Sequence, residues 1–226
     1  MSERIKDPVV LLSGGLDSST LLYYVVRTLG QKRTLGLAVA YGQRHSRELE
    51  SAHAVAEEAG IALIRCNLGA ALEPIFAGAP SSQVGALEVV PEGHYAAESM
   101  KSTIVPNRNG LLLNVAAALA VSQNRAFVAY AAHAGDHPIY PDCRPEFANA
   151  MGRALELGSG IRLYAPFALK SKTDIVRLGD SLGVPFALTY SCYNGRAKHC
   201  GRCGTCVERR EAFQEAGVYD PTPYED

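Results

Sequence analysis

The sequence predicts an α/β fold in which a parallel sheet carries helices on both faces, followed by a metal-binding C-terminal appendage. Three observations predict it. Short apolar, β-branched runs alternate with amphipathic helical segments along the chain. The first such run breaks abruptly into "SGGLDSST" before a helix begins. Four of the chain's 6 cysteines crowd into residues 192–206. The alternation leaves the sheet parallel, because consecutive strands joined by helices cannot pair as hairpins.

Residues 8–12 form a short continuous apolar run and read as a buried strand. Leu21, Leu22, Val25, Val26 and Leu29 then recur at helical spacing, so 13–20 is a strand-to-helix turn. Such a turn leaves the first helix amides without backbone partners and directs the positive end of the helix dipole outward. Gly14 and Gly15 allow close approach of a ligand, and Ser13, Ser18, Ser19 and Thr20 add hydroxyls. The expectation is a phosphate site spanning Leu12, Ser13, Gly14, Gly15, Leu16, Asp17, Ser18, Ser19, Thr20, Leu21 and Leu22. No lysine stands where the Walker pattern requires one. A plain Gly-Gly connection between strand and helix is the competing explanation of the two glycines alone.

Residues 34–40 are a second buried strand, ending in "YGQRHS", whose charged end is equally consistent with a solvated loop. Residues 46–59 form an amphipathic helix with Ser46 as N-cap and Gly60 at its exit. "IALIRC" is a third strand. From 67 to 106 periodicity dissolves into Gly, Pro, Ala and Ser, which predicts a functional insertion or mobile flap. "RNGLLLNVAAALAVSQN" is an apolar, buried helix, and 126–132 is a fourth strand leading into the polar loop "HAGDHPIYPDCRPEF". A helix over 146–157 and a short strand in "IRLYAP" follow. "SKTDIVRLGDSLG" is a helix with Ser171 and Asp174 in capping-box positions. Lys170 and Lys172 read as a solvated helix start, with phosphate contact the alternative. The polar segments 13–20, 41–46 and 133–147 all follow strands, where ligands of Rossmann-like sheets bind.

The composition suits a single domain over 1–226: 226 residues, 47% hydrophobic, 20% charged, net charge −1. That balance argues against a large nucleic-acid surface. "MSERIKDPVV" has no signal-peptide core and no apolar run reaches membrane-spanning length, so the expected location is the cytoplasm.

Cys192, Cys200, Cys203 and Cys206 stand at C-x7-C-x2-C-x2-C, a spacing suited to tetrahedral Zn²⁺ held by four thiolates. A disulfide pair fits a reducing compartment poorly, and an iron–sulfur cluster is the other candidate. His199 is expected at the surface, Cys66 and Cys143 outside any metal set, a helix from about 207 onward, and a C-terminal zinc-binding region over 188–226.

"SGGLDSST", "YGQRH", "IVPNRN", "YPDCRPEF" and the four-cysteine tail together resemble the 7-cyano-7-deazaguanine synthases, in the same order and over nearly the whole chain. S-G-G-x-D-S is the loop of the pyrophosphatase-loop, adenine nucleotide alpha hydrolase-like superfamily. Tyr190 stands where that family often has Trp, and "AAHAGDHPIYPDC" departs from its more usual loop. The resemblance implies ATP-dependent conversion of 7-carboxy-7-deazaguanine and ammonia to a nitrile, through adenylated intermediates, with Mg²⁺ and Zn²⁺ bound. It implies a homodimer acting on small molecules, with Asp17 beside Mg²⁺ and the phosphates and Ser18 as its catalytic neighbour. A carboxylate can accept from the ring N–H and exocyclic amine of a deazaguanine, which makes Asp136 and Asp142 candidates. Arg144 or Arg108 could meet the substrate carboxylate or the phosphates. Arg144-Pro145-Glu146 also reads simply as a helix start. The alternatives are a transfer RNA sulfurtransferase, which would need a reactive cysteine or open cluster, or another adenylating ligase of the superfamily.

Overall fold

The computed structural model describes residues 7–30, 33–44, 47–85 and 89–225. Ser46 and His45 fall outside them, so the expected cap of the second helix lies outside the described residues. Five strands, β1 (Pro8–Leu11), β2 (Leu35–Ala40), β3 (Ala62–Asn67), β4 (Phe127–Ala129) and β5 (Arg162–Tyr164), form one sheet in the order β3-β2-β1-β4-β5. Every pairing is parallel, with Val9 opposite Leu35 on one side and Val128 on the other. Chain order therefore runs outward from β1 in one direction and resumes at β4 in the other. That reversal opens a crevice beyond the carboxyl ends of β1 and β4.

Two cores follow from the strand period of two. Val10 and Ala38 face α1 (Leu16–Leu29), α2 (Arg47–Glu58), α6 (Lys172–Leu182) and α7 (Gly204–Ala216), through Leu22, Val55, Ile175 and Phe213. Val9, Leu37 and Val128 face α4 (Arg108–Ser122) and α5 (Pro145–Ser159), through Leu113, Ala117 and Leu155. Val9 and Val10 are both fully buried, as a central strand covered on both faces must be.

Several boundaries move. α7 starts at Gly204, earlier than expected, with Cys203 as its N-cap. β4 stops at Ala129, because Tyr130, Ala131 and Ala132 turn to line the crevice. The segment 67–106 is not wholly irregular. It holds α3 (Gly69–Phe76) and a 3-10 turn over Glu98–Thr103. Pro74 inside α3 obscures its helical pattern, yet Leu72 and Phe76 bury against Tyr41, Val84 and Val105. The expected capping box of α6 is present: Ser171 Oγ accepts from Asp174 N–H at 3.1 Å, and Asp174 accepts from Ser171 N–H at 3.1 Å.

The helical stretch Glu98–Ser122 is long and apolar enough to span a bilayer by length and composition, contrary to the expectation from sequence. Residues 104–107 divide it, and α4 alone has 15 residues, short of the ~20 a span requires. Leu113, Ala116 and Ala120 of α4 are fully buried against the sheet, as in a core helix.

Candidate functional site

The turn between β1 and α1 is braced from within. Ser13 N–H donates to Ser18 Oγ (3.2 Å), Ser18 Oγ–H donates to the Gly15 carbonyl (3.2 Å), and Gly15 N–H donates to Ser13 Oγ (3.2 Å). Gly15 caps α1 without a side-chain acceptor, so the first-turn amides point unmatched into the crevice. Leu12, Ser13, Gly15, Leu16, Asp17 and Ser18 line a cavity of ≈ 230 Å³ there. Gly14, Ser19, Thr20, Leu21 and Leu22 do not line it. A Cβ on Gly14, at φ +84°, would collide with the Glu48 carbonyl and lie 2.5 Å from the Ala52 nitrogen, so this glycine seats the loop against α2. The Ser19 and Thr20 hydroxyls are buried with no hydrogen-bond partner among the described residues, and Leu21 and Leu22 belong to the core.

Asp17 anchors a charge cluster assembled from four elements. Its Oδ2 lies 2.7 Å from Lys172 Nζ, while its buried Oδ1 has no hydrogen-bond partner among the described residues. Lys172 also reaches Glu208 Oε2 (3.2 Å) and His133 Nε2 (3.1 Å), and His133 Nε2 lies 3.3 Å from Asp136 Oδ2. His133 Nδ1 accepts from Gly135 N–H at 3.1 Å, so Nε2 is the ring nitrogen that faces Lys172 and the carboxylates. Burial opposes charge on Asp17, but Lys172 beside it prevails and holds the carboxyl below its usual range. Burial likewise opposes charge on Lys172, and Asp17, Glu208 and Asp136 outweigh it, so the lysine stays protonated.

Arg108 and Asp136 both line this cavity. Arg108 sits 6.0 Å from the Tyr41 ring centre; burial disfavours its charge, but Tyr41 and Tyr193 raise its pKa further. Glu48 lines the same wall, its carboxyl pushed up to about 7 by burial and pulled back by Arg108. The other two substrate candidates lie outside the lining. Asp142 Oδ2 accepts from Asn109 N–H (3.1 Å), which caps the start of α4 across the fold. Arg144 is exposed and donates through Nε to the His137 carbonyl (3.0 Å), with Pro145 opening α5 and Glu146 in its first turn.

Cys192, Cys200, Cys203 and Cys206 are fully buried, and their sulfurs lie within 4.8 Å of one another, Cys200 to Cys206 at 4.0 Å. Four thiolates around Zn²⁺ at ~2.3 Å would stand about 3.8 Å apart, so the set fits that ion with little movement. Backbone N–H groups of Asn194 and Cys200 donate to Cys192 Sγ (3.4 Å each), and those of Arg202 and Cys203 donate to Cys200 Sγ (3.4 and 3.3 Å). Such donors stabilise thiolate charge. Gly201, at φ +72°, makes the turn that returns the chain toward Cys203. No cysteine among the described residues is in a disulfide. His199 is not at the surface: it is buried, packs on Tyr190 and Tyr224, and accepts from Ser191 N–H through Nε2 at 3.0 Å. Burial, aided by Arg209, lowers its pKa to about 4.

Sequence reasoning did not find His133, Glu208, Arg209 or Tyr193, and it favoured a solvated helix start over phosphate contact for Lys172, which lines the cavity beside Asp17. "CVERREAF" has the look of an exposed charged helix. Yet Arg209 is 1% exposed and grips Asp220 (3.2 Å), Thr189 Oγ1 (2.8 Å) and the Phe186 carbonyl (3.2 Å). Only the position of Cys206 in the metal set hinted that this helix faces inward.

The sheet order, the switch-point cavity and the braced loop define a Rossmann-like α/β protein of the pyrophosphatase-loop type. The solved structure of NMN synthetase from Francisella tularensis has the same fold, with a TM-score of 0.53 at 18% identity over 95% of this chain and 78% of that one. The chain belongs to the QueC family, whose model, described as queuosine biosynthesis protein QueC, matches residues 7–217. Curated relatives named 7-cyano-7-deazaguanine synthase are similar over 96% of the chain. Those of Rhizobium rhizogenes and Brucella anthropi are 47% and 48% identical, each covered to 92% and 93% of its length. That of Caldicellulosiruptor bescii is 48% identical and covered to 96%.

Proposed function

We propose that this chain converts 7-carboxy-7-deazaguanine and ammonia to 7-cyano-7-deazaguanine at the expense of ATP, in the route to queuosine in transfer RNA. The observation that carries the reading is a single switch-point cavity walled by the S-G-G-x-D-S turn on one side and by Asp136 and Arg108 on the other. A carboxylate resists attack by ammonia because oxide is a poor leaving group. Attack of that carboxylate on the α-phosphate of ATP gives an acyl-adenylate, and ammonia then displaces AMP to give an amide. A second adenylation, on the amide oxygen, and loss of AMP give the nitrile.

In this reading the unmatched amides of α1 and the loop hydroxyls receive the pyrophosphate. Asp17, whose Oδ1 has no partner among the described residues, and Lys172 balance charge at the phosphates, and Mg²⁺ would be held by Asp17. Asp136 accepts from the base, and Arg108 meets the substrate carboxylate. Zn²⁺ is structural here, since four thiolates leave a tetrahedral ion no open position. We assign 188–226 to the zinc-binding region of a single domain, with 67–106 closing over the site. A cytoplasmic homodimer with no direct nucleic-acid contact completes the proposal.

A sulfurtransferase would need a reactive thiol at the cavity. Cys143 lines it, but burial, reinforced by Asp136 and Asp142, raises its pKa and keeps it neutral. The pure protein incubated with ATP, ammonium and 7-carboxy-7-deazaguanine should yield the nitrile by mass spectrometry. Asp17→Asn should abolish that product while circular dichroism and melting stay native. Absence of nitrile and amide with the wild-type protein would overturn the reading, and a fully active Asp17→Asn would remove Asp17 from it.

A further inference from the structure

A nitrile forms from an amide only when both N–H protons leave the nitrogen. The cavity therefore needs a group beside the reacting carbon that is free to accept a proton. Among the described residues, four carboxylates line it, Asp17, Glu48, Asp136 and Glu208, and no histidine does. Three of the four are engaged by basic groups. Asp17 Oδ2 and Glu208 Oε2 pair with Lys172 at 2.7 and 3.2 Å, and Asp136 Oδ2 lies 3.3 Å from His133 Nε2. A proton placed on any of these would undo that pairing. The Glu48 carboxyl makes no ion pair or hydrogen bond among the described residues. It is half-buried in the cavity wall, open to a ligand and not sealed in the core.

The place of Glu48 in the fold suits the role. It stands in the first turn of α2, where its backbone carbonyl lies against Gly14 of the phosphate turn. Leu49 beside it lines the same cavity. Arg108, from the start of α4, and Tyr41, beyond the end of β2, are the charged and titratable groups coupled to its carboxyl. Its backbone thus meets the turn assigned to the phosphates, and its carboxyl lies in the field of the arginine assigned to the reacting carboxyl. Burial pushes the Glu48 pKa up to about 7, and Arg108 pulls against that rise. A carboxyl so poised exchanges protons at neutral pH.

We propose that Glu48 is the general base of the amide-to-nitrile half of the reaction, taking the N–H proton of the adenylated amide. The proposal rests on the nitrile-forming reading above. Adenylation of the amide oxygen releases pyrophosphate and the first N–H proton, which leaves an imidate with one N–H. The Glu48 carboxylate takes that second proton and becomes a neutral acid. The N–H electron pair forms the second π bond of the nitrile, the C–O bond breaks, and its electron pair leaves with AMP. Glu48 then loses its proton to solvent, which restores the base.

The test starts from ATP and the preformed amide of 7-carboxy-7-deazaguanine, so the titration of ammonium plays no part. At saturating substrates, nitrile formation should rise with pH through about 7, because the base acts only when ionised. Glu48→Gln keeps the size of the side chain but cannot take the proton. Its kcat should fall on the order of a hundredfold, and the rise with pH should vanish. Glu48→Asp, one methylene shorter, should keep that rise at a lower rate. Exchange of labelled pyrophosphate into ATP, dependent on 7-carboxy-7-deazaguanine and run without ammonium, needs no base. It should stay close to the wild-type rate in both variants. Melting curves establish that each variant folds, and the wild-type pH profile carries the test if neither does. A folded Glu48→Gln with the wild-type kcat and profile, or a wild-type rate that is flat through neutral pH, overturns Glu48 as the base. Failure of exchange and nitrile formation in the wild-type protein overturns the underlying reading instead.

Discussion

Gly14→Ala should destabilise the protein far more than Gly15→Ala, although the two glycines are neighbours in one loop. Gly14 has φ +84°, where an L-residue costs about 1–2 kcal/mol. Its new methyl would press on the Glu48 carbonyl and the Ala52 nitrogen. Both are backbone atoms of a packed helix and cannot swing aside, so overpacking adds about 1–3 kcal/mol. The sum, about 2–5 kcal/mol, corresponds to a melting temperature lower by roughly 5–20 °C for a chain of this size. Gly15 has φ −74°, and a methyl there would meet only Ser13 Oγ at 3.3 Å and the Tyr190 carbonyl at 3.6 Å. It faces the cavity, so Gly15→Ala should melt within a few degrees of the wild type while weakening nucleotide binding. Thermal melts and urea titrations measure the first effect and calorimetry with ATP the second. A Gly14→Ala protein as stable as the wild type, with only ATP affinity lost, would refute the assignment of Gly14 to the α2 contact.

Asp142→Ala should cost about 0.5–2 kcal/mol through the lost cap on α4 and leave deazaguanine affinity intact; a calorimetric loss of that affinity would return Asp142 to base recognition. Cys203→Ser should lose stoichiometric zinc by elemental analysis and lower stability and solubility before activity, and the wild-type protein should be colourless. A brown, iron-bearing protein would contradict the zinc assignment. The Glu48 carboxyl has a folded pKa of about 7, above the 4.5 of an unfolded chain. Its contribution is therefore complete below about pH 4.5 and lost as pH rises through about 7, by at most about 3 kcal/mol. Glu48→Gln should flatten that part of the stability profile in urea titrations, and parallel profiles for the two proteins would show that Glu48 does not titrate there.

The sequence alone determined the features that depend on near neighbours. Strand and helix periods announced the parallel sheet, "SGGLDS" announced the turn, Ser171 and Asp174 announced their capping box, and the cysteine spacing announced the tetrad. Each is written within a few residues, where backbone geometry fixes which groups can meet. The tertiary structure decided what depends on how distant elements cross. Asp17 and Lys172 are 155 positions apart, and only the packing of α1 against α6 joins them. Asp136 and Asp142 lie in one loop, yet the fold of that loop turns one carboxylate into the cavity and the other onto α4. His199, Glu208 and Arg209 carry the composition of a surface and are buried because the C-terminal segment wraps the metal set and packs α7 on α6. A polar side chain has no local signature of burial: its partners come from other elements, and their arrival is settled by the sheet order.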